Sequence, residues 1–208
     1  MARLLGENMF PEHYIQQILD DFPVIYPTST LPALGVRPQK IGLDRLFKLK
    51  ERDNLKIVSI AVANKEQMAK FVQIPDYLDD FLDMFSTGSI TCILNSIEEF
   101  DSRIGGGSVA IRIVGHPIAK ELLLKVGPLT ATSANISGTM PLYSCNDAAD
   151  ALGLSKNNSL DVVCNGGEPS TLIRCPVFLS SSGEHKPEIV REGIVSRVEV
   201  MEKWMNVI

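Results

Sequence analysis

Apolar and polar positions follow two periods along this chain, and stretches of each kind alternate nearly throughout. Ile15, Ile18, Leu19 and Phe22 recur at helical spacing from Glu12, which predicts a short helix leading into a strand at 23–26. Leu43, Leu46, Phe47 and Lys50 repeat that spacing ahead of the strand-like KIVSIAVA at 56–63, and amphipathic stretches at 64–72 and 76–85 predict two more helices. SITCIL at 89–94 and SVAIRIV at 108–114 read as strands. His116 to Val126 reads as a helix with Pro117 in its first turn, and Gly127-Pro128 separates it from the apolar PLTAT. Beyond Ala148 the pattern predicts a short helix, a strand near 160–164, a turn at Gly166-Gly167, and a strand pair at 171–179 and 187–191 joined by the polar SSSGEHK.

Interleaved strands and helices predict an α/β fold, an open sheet of mixed direction flanked by helices. In such sheets ligands bind beyond the carboxyl ends of strands, where loops and helix starts offer free N–H groups. Two predicted strands end in hydroxyl-rich turns, YPTST after Pro23 and TATSANISG after Leu129. Ser and Thr beside Pro and Gly are also ordinary turn formers, so these turns alone leave function open.

Composition narrows the field. At 208 residues and 45% hydrophobic, the chain supports one sizeable core, and no low-complexity linker divides it, so a single domain over 1–208 is expected. A formal charge of -5 and a pI near 5.3 argue against a protein that grips nucleic acid by bulk electrostatics, leaving only a local RNA contact open. Cys92, Cys145, Cys164 and Cys175 form no CxxC pair and the three histidines no HExxH spacing, so no protein-ligated metal is expected. MARLLGENMF carries one basic residue and no long apolar core, and no later run approaches the roughly 18 apolar residues of a membrane span; a soluble protein of a reducing cytosol is the expectation.

Several segments carry groups suited to an anion. In LKERDN, Lys50 and Arg52 would project to one face if the chain is extended there; a solvated helix end is the alternative. Arg112 interrupts the apolar VAIRI and needs a partner, either an internal carboxylate or an anionic ligand. Ser133, Asn135 and Ser137 offer uncharged donors and acceptors. In GGEPST and IVREGIVS, Gly166 and Gly167 permit close backbone approach, Ser170 and Thr171 add hydroxyls, and Arg191 adds a cation. No Walker loop, GxGxxG, GxSxG elbow or kinase signature accompanies them.

In order, these segments resemble the YrdC family of threonylcarbamoyl-AMP synthases. YPTSTLPALG resembles the family's YPT-x-T-x-x-x-LG, KER its K-x-R, SVAIRIVGHP its x-VAVR-x-x-HP, TATSANISG its TSAN-x-SG, and STLIR with IVREGIVS its STVVD and LREG elements. The resemblance spans Tyr26 to Ser196. It implies a twisted mixed sheet with a concave, locally basic cavity, and a reaction in which L-threonine, bicarbonate and ATP give threonylcarbamoyl-AMP, diphosphate and water. Carried over by motif, Thr30, Arg112, Ser133 and Ser170 would hold threonine and its carbamate. Lys50, Arg52, Asn54, Ser108, Asn135, Ser144 and Arg191 would hold ATP, with Lys50, Arg52 and Arg112 stabilising the charge that develops. Mg²⁺ would be held mainly by the triphosphate.

The chain departs from the family pattern at Ser29, where an acid is usual; at Pro32-Ala33; after Arg52, where a Pro is missing and the loop is shorter; at Ser59, where some members place His; and in FSTGSIT, which stands for W-P-G-P-L-T. The sequence ends soon after the REG element, as in short bacterial forms that hand the intermediate to a separate transferase complex acting on tRNA. Two alternatives follow: a YrdC-like module that binds RNA or a nucleotide without catalysis, favoured by those departures, and, ranked last, carbamoyl transfer as in hydrogenase-maturation relatives.

Overall fold

The computed structural model describes residues 9–50, 56–136, 139–140, 142–177 and 186–207. Helix α1 (Glu12–Leu19) leads into β1 (Val24–Tyr26), which turns back through the hydroxyl-rich YPTST segment into β2 (Ala33–Gly35). Helix α2 (Lys40–Leu49) follows, then β3 (Ser59–Val62), the short helices α3 (Lys65–Met68) and α4 (Leu78–Asp83), and β4 (Ile90–Asn95). Strand β5 (Ser108–Ile113), α5 (Pro117–Val126) and β6 (Leu129–Ser133) come next. Helix α6 (Cys145–Ala151), β7 (Thr171–Arg174), β8 (Glu188–Arg191) and α7 (Arg197–Trp204) follow, and single 3-10 turns stand at Ser102–Ile104 and Lys156–Asn158.

The eight strands form one open mixed sheet in the order β1-β2-β6-β3-β5-β4-β7-β8. β3 pairs with β5, and β4 with β7, in parallel; the other neighbours are antiparallel. The α/β expectation therefore holds. β2 had no signal in the sequence pattern: three residues are too few to show a period, and only pairing with β1 and β6 makes them a strand. Gly35 is required in that pairing, because a Cβ there would stand 2.6 Å from the Tyr26 ring and 2.8 Å from the Thr130 carbonyl oxygen.

Period-two alternation divides the core between the two sheet faces. Ile60 and Val62 of β3 and Val109 and Ile111 of β5 join the larger cluster with Leu43 and Leu46 of α2, Phe81 of α4 and Trp204 of α7. A smaller cluster collects Tyr14 and Ile18 of α1, Tyr26, Ala61, Leu122 and Leu123 of α5, and Leu129. Among the described residues, part of the Ala61 face of the sheet is left open beside this smaller cluster, and a cavity lies there.

Several expectations need correction. The α1 face that packs inward is Tyr14 and Ile18, while Leu19 and Phe22 are exposed at 45% and 41%. Tyr14 adds a hydrogen bond from its hydroxyl to the Ile25 carbonyl at 2.9 Å, and the Phe22 ring lies under the Arg45 guanidinium. The segment at 160–164 forms no ladder; its neighbourhood makes only the isolated bridges Ile25–Ser159 and Ser144–Val163. The helices expected at 64–72 and 76–85 are shorter than the pattern suggested. SSSGEHK lies outside the described residues except for Lys186. Helix α7 adds to the elements expected from the sequence; Ser196 and Glu199 have capping-box spacing, and the Ser196 hydroxyl accepts from the Glu199 amide at 3.2 Å.

Candidate functional site

The cavity has a volume of about 660 Å³. Its floor is built by alternation: Ser108, Ala110 and Arg112 of β5 face it while Val109 and Ile111 are fully buried on the opposite side. Thr91 and Ile93 contribute from β4 and Ser59 from β3; Ser170, Leu172 and Arg174 follow the same rule along β7. The turn holding Thr28 and Thr30, together with Ser133, Asn135 and Arg191, forms the walls.

Charge is distributed unevenly. Arg112, Arg174 and Arg191 line the cavity and, among the described residues, no carboxylate does, in a chain whose net charge is -5. Among the described residues Arg112 forms no ion pair, and its buried Nε has no hydrogen-bond partner. Burial holds its guanidinium below the usual range; nearby Tyr26 opposes that shift and the like charge of Arg191 adds to it. Arginine does not give up its proton in proteins, so this cation stays charged and incompletely solvated. The sequence left an internal ion pair and an anionic ligand open for Arg112, and among the described residues no carboxylate pairs with it.

The hydroxyls have distinct jobs. Thr28 shapes the first turn, donating to the Leu31 carbonyl at 2.7 Å and accepting from the Thr30 amide at 3.3 Å. Thr30 lines the cavity, its carbonyl held by the Gly166 amide at 2.8 Å. Ser29 is exposed and outside the lining, so the family departure there does not alter the cavity wall, whereas Pro32, Ala33 and Ser59 are in it. Ser59 donates to the Ala131 carbonyl at 2.8 Å.

Ser170 shares a hydrogen bond with Thr91 at 2.7 Å, and its carbonyl accepts from Arg191 Nη2 at 2.8 Å. This ties the FSTGSIT, STLIR and REG segments together. Thr171 locks the same junction: its hydroxyl donates to the Val195 carbonyl and accepts from the Gly193 and Val195 amides. Gly193 packs so closely that a Cβ would stand 2.1 Å from the Pro169 carbonyl oxygen.

Ser133 donates to Asn135 Oδ1 at 2.6 Å, and Asn135 donates on to the Thr139 carbonyl at 2.9 Å. Lys50 is buried and its ammonium donates to the Ser133 carbonyl at 2.5 Å, which brings it to the end of β6 but not into the cavity lining. It caps α2 with φ -87° and ψ -2°, so the extended geometry considered for Lys50 and Arg52 is absent at Lys50. Arg52, Asn54 and Ser137 lie outside the described residues. Ser144 is not in the lining; its hydroxyl caps α6 by accepting from the Asp147 amide at 3.2 Å. Thr91 and Arg174, which the sequence did not propose as site residues, and Ser59, which it marked only as a departure from the family pattern, are placed in the lining by strand alternation with Ser170, Ser108 and Arg112 once pairing is known.

An open mixed sheet whose uncovered face carries guanidiniums and hydroxyls, with no acid among the described residues of the wall, defines an α/β protein suited to an anionic ligand. Within that class, the chain belongs to the Sua5/YciO/YrdC family: the family model, described as "Telomere recombination", matches residues 16–193. A protein of Vibrio campbellii named threonylcarbamoyl-AMP synthase is 24% identical over 182 residues, covering 84% of this chain and 89% of its own length. One of the same name from Pseudoalteromonas translucida is 29% identical over 159 residues, covering 72% and 84%. P. abyssi Sua5, solved in complex with L-threonine, superposes with a TM-score of 0.77 at 26% identity over 91% of this chain; the chain spans about half of that protein, 55%. E. coli YciO shares the fold, with a TM-score of 0.67 at 20% identity over 90% of both chains.

Proposed function

We propose that this chain is an L-threonylcarbamoyladenylate synthase, joining L-threonine, bicarbonate and ATP to give threonylcarbamoyl-AMP, diphosphate and water for tRNA modification. The observation that carries the proposal is the half-buried Arg112, whose Nε is buried and without a hydrogen-bond partner among the described residues, in a cavity whose described lining holds no carboxylate. Family membership and the threonine complex of a related structure support it.

The reaction asks little covalent chemistry of the protein. The threonine amine combines with bicarbonate to form a carbamate and water. A carbamate oxygen then attacks the α-phosphorus, forming a P–O bond as the bond to the β-phosphate oxygen breaks and diphosphate leaves with the electron pair. Position and charge stabilisation suffice, as in other phosphoryl-type transfers. In this reading Arg112 neutralises the carboxylate and carbamate end, and Thr30, Ser133 and Ser170 orient it. Lys50, Arg52 and Arg191 meet the phosphates, and Asn54, Ser108 and Asn135 complete the ATP contacts. Ser144 stands apart from this set because its hydroxyl caps α6. The wall offers guanidiniums and hydroxyls, which fit a triphosphate that brings its own Mg²⁺; the ion's role there is to shield phosphate charge.

Among the described residues no helix is long and apolar enough to cross a membrane. We place the reaction in the cytosol, with the product passed to a separate transferase complex. Diphosphate release that requires both L-threonine and bicarbonate supports the reading. Its absence with active transferase partners present, alongside salt-dependent RNA affinity, assigns the chain to a non-catalytic binding module instead.

A further inference from the structure

Resting on the reading above, we propose that Arg174 is an additional ATP contact, a rim cation that binds the outgoing β- and γ-phosphates. From Ser170, just ahead of β7, through the strand the positions facing the cavity are Ser170, Leu172 and Arg174, while Ile173 is fully buried on the other side. Pairing sets Arg174 beside Ile93 of β4, and Ile93 beside Ala110 of β5. From there the side chain reaches across β4, with Nη1 3.4 Å from the hydroxyl of Ser108, a residue assigned above to ATP.

The register also fixes where this cation stands relative to Arg112. Two strand spacings and one two-residue step separate their backbones, roughly 12 Å, a span suited to an extended ligand with anionic groups at both ends. Arg112, half-buried with its Nε shielded from solvent, marks the inner end and Arg174, with a side chain 52% exposed, the open one. The leaving diphosphate must depart toward solvent, so its charge develops at the Arg174 end. The chain is cationic here where the STVVD pattern that STLIR resembles ends in an acid.

Arg174 is held in place by Glu188 without being neutralised in a buried pair. Its Nε lies 3.2 Å from Glu188 Oε2, and both side chains are exposed, 52% and 67%. An exposed pair of this kind is weak, so a polyphosphate displaces the carboxylate readily and gains the guanidinium fork. Glu188 thus competes with the nucleotide for Arg174.

Calorimetric titration of the full chain with ATP and with AMP tests the assignment. Arg174→Gln is expected to weaken ATP binding about tenfold while changing AMP binding less than about twofold. Arg174→Lys should fall between, and Glu188→Gln should tighten ATP. Arg174→Gln protein that binds ATP as the wild type does, or that loses ATP and AMP equally, overturns the role of Arg174 alone. Wild-type protein that binds neither nucleotide overturns the adenylation reading together with this one.

Discussion

The hydroxyls of Thr91 and Ser170 meet at 2.7 Å inside the cavity wall, across the parallel pairing of β4 with β7. Thr91 therefore fixes the orientation of a hydroxyl proposed to hold the threonine substrate. In Thr91→Val, Ser170 is freed to rotate, and the KM for L-threonine should rise roughly three- to tenfold, the loss of about one hydrogen bond, with the KM for ATP unchanged. Steady-state diphosphate release at varied threonine and varied ATP checks this; equal changes in both constants would contradict it.

Arg112 trades stability for function. Its unpaired Nε and its desolvated charge are costs to the folded protein. Arg112→Met keeps an apolar stem of similar length and should raise the ligand-free stability by about 1 kcal/mol, while lowering turnover at least about a hundredfold. Thermal melts without ligand, paired with turnover assays, separate the two effects. A variant less stable than wild type would show that Arg112 is a structural element.

Thr171 carries the opposite weighting. Its hydroxyl makes three hydrogen bonds to the Gly193–Val195 segment from a fully buried position. Thr171→Val leaves two amides and a carbonyl short of a partner and should cost about 2–3 kcal/mol, read as a lower urea midpoint. Activity per folded molecule should also fall, because the same junction positions Ser170 and Arg191.

His116, the residue ahead of α5, gives a pH signature. Burial holds its pKa below the ordinary 6.5, and its buried Nδ1 has no partner. The unfolded chain then binds a proton more readily than the folded one. The neutral His116 contribution is complete above pH 6.5 and is lost as pH falls through the folded value. Between pH 7.5 and 5.5 wild type should lose stability relative to His116→Gln; parallel melting curves across that range would refute the assignment.

Much of the fold was legible without the structure because long amphipathic segments carry their own signal. The α2 and α5 stripes and the alternation in β5 report burial directly, residue by residue. The same alternation singled out Arg112 as an intruder in an apolar strand. Short elements carried too little: β2 has three residues, and the inward face of α1 was misread because Phe22 packs under Arg45 at the surface instead of in the core.

Sequence by itself determined the α/β class, the hydroxyl-rich strand ends and the ordered motifs from Tyr26 to Ser196, since each depends on local periodicity or on neighbouring residues. Only the tertiary structure decided that Arg112 has no carboxylate partner among the described residues, that Thr91 and Ser170 share a hydrogen bond, that Ser29 lies outside the cavity lining, and that Arg174 joins Ser108 across β4. Those are pairings between residues distant in the chain. They are set by strand order and register, which no local pattern encodes.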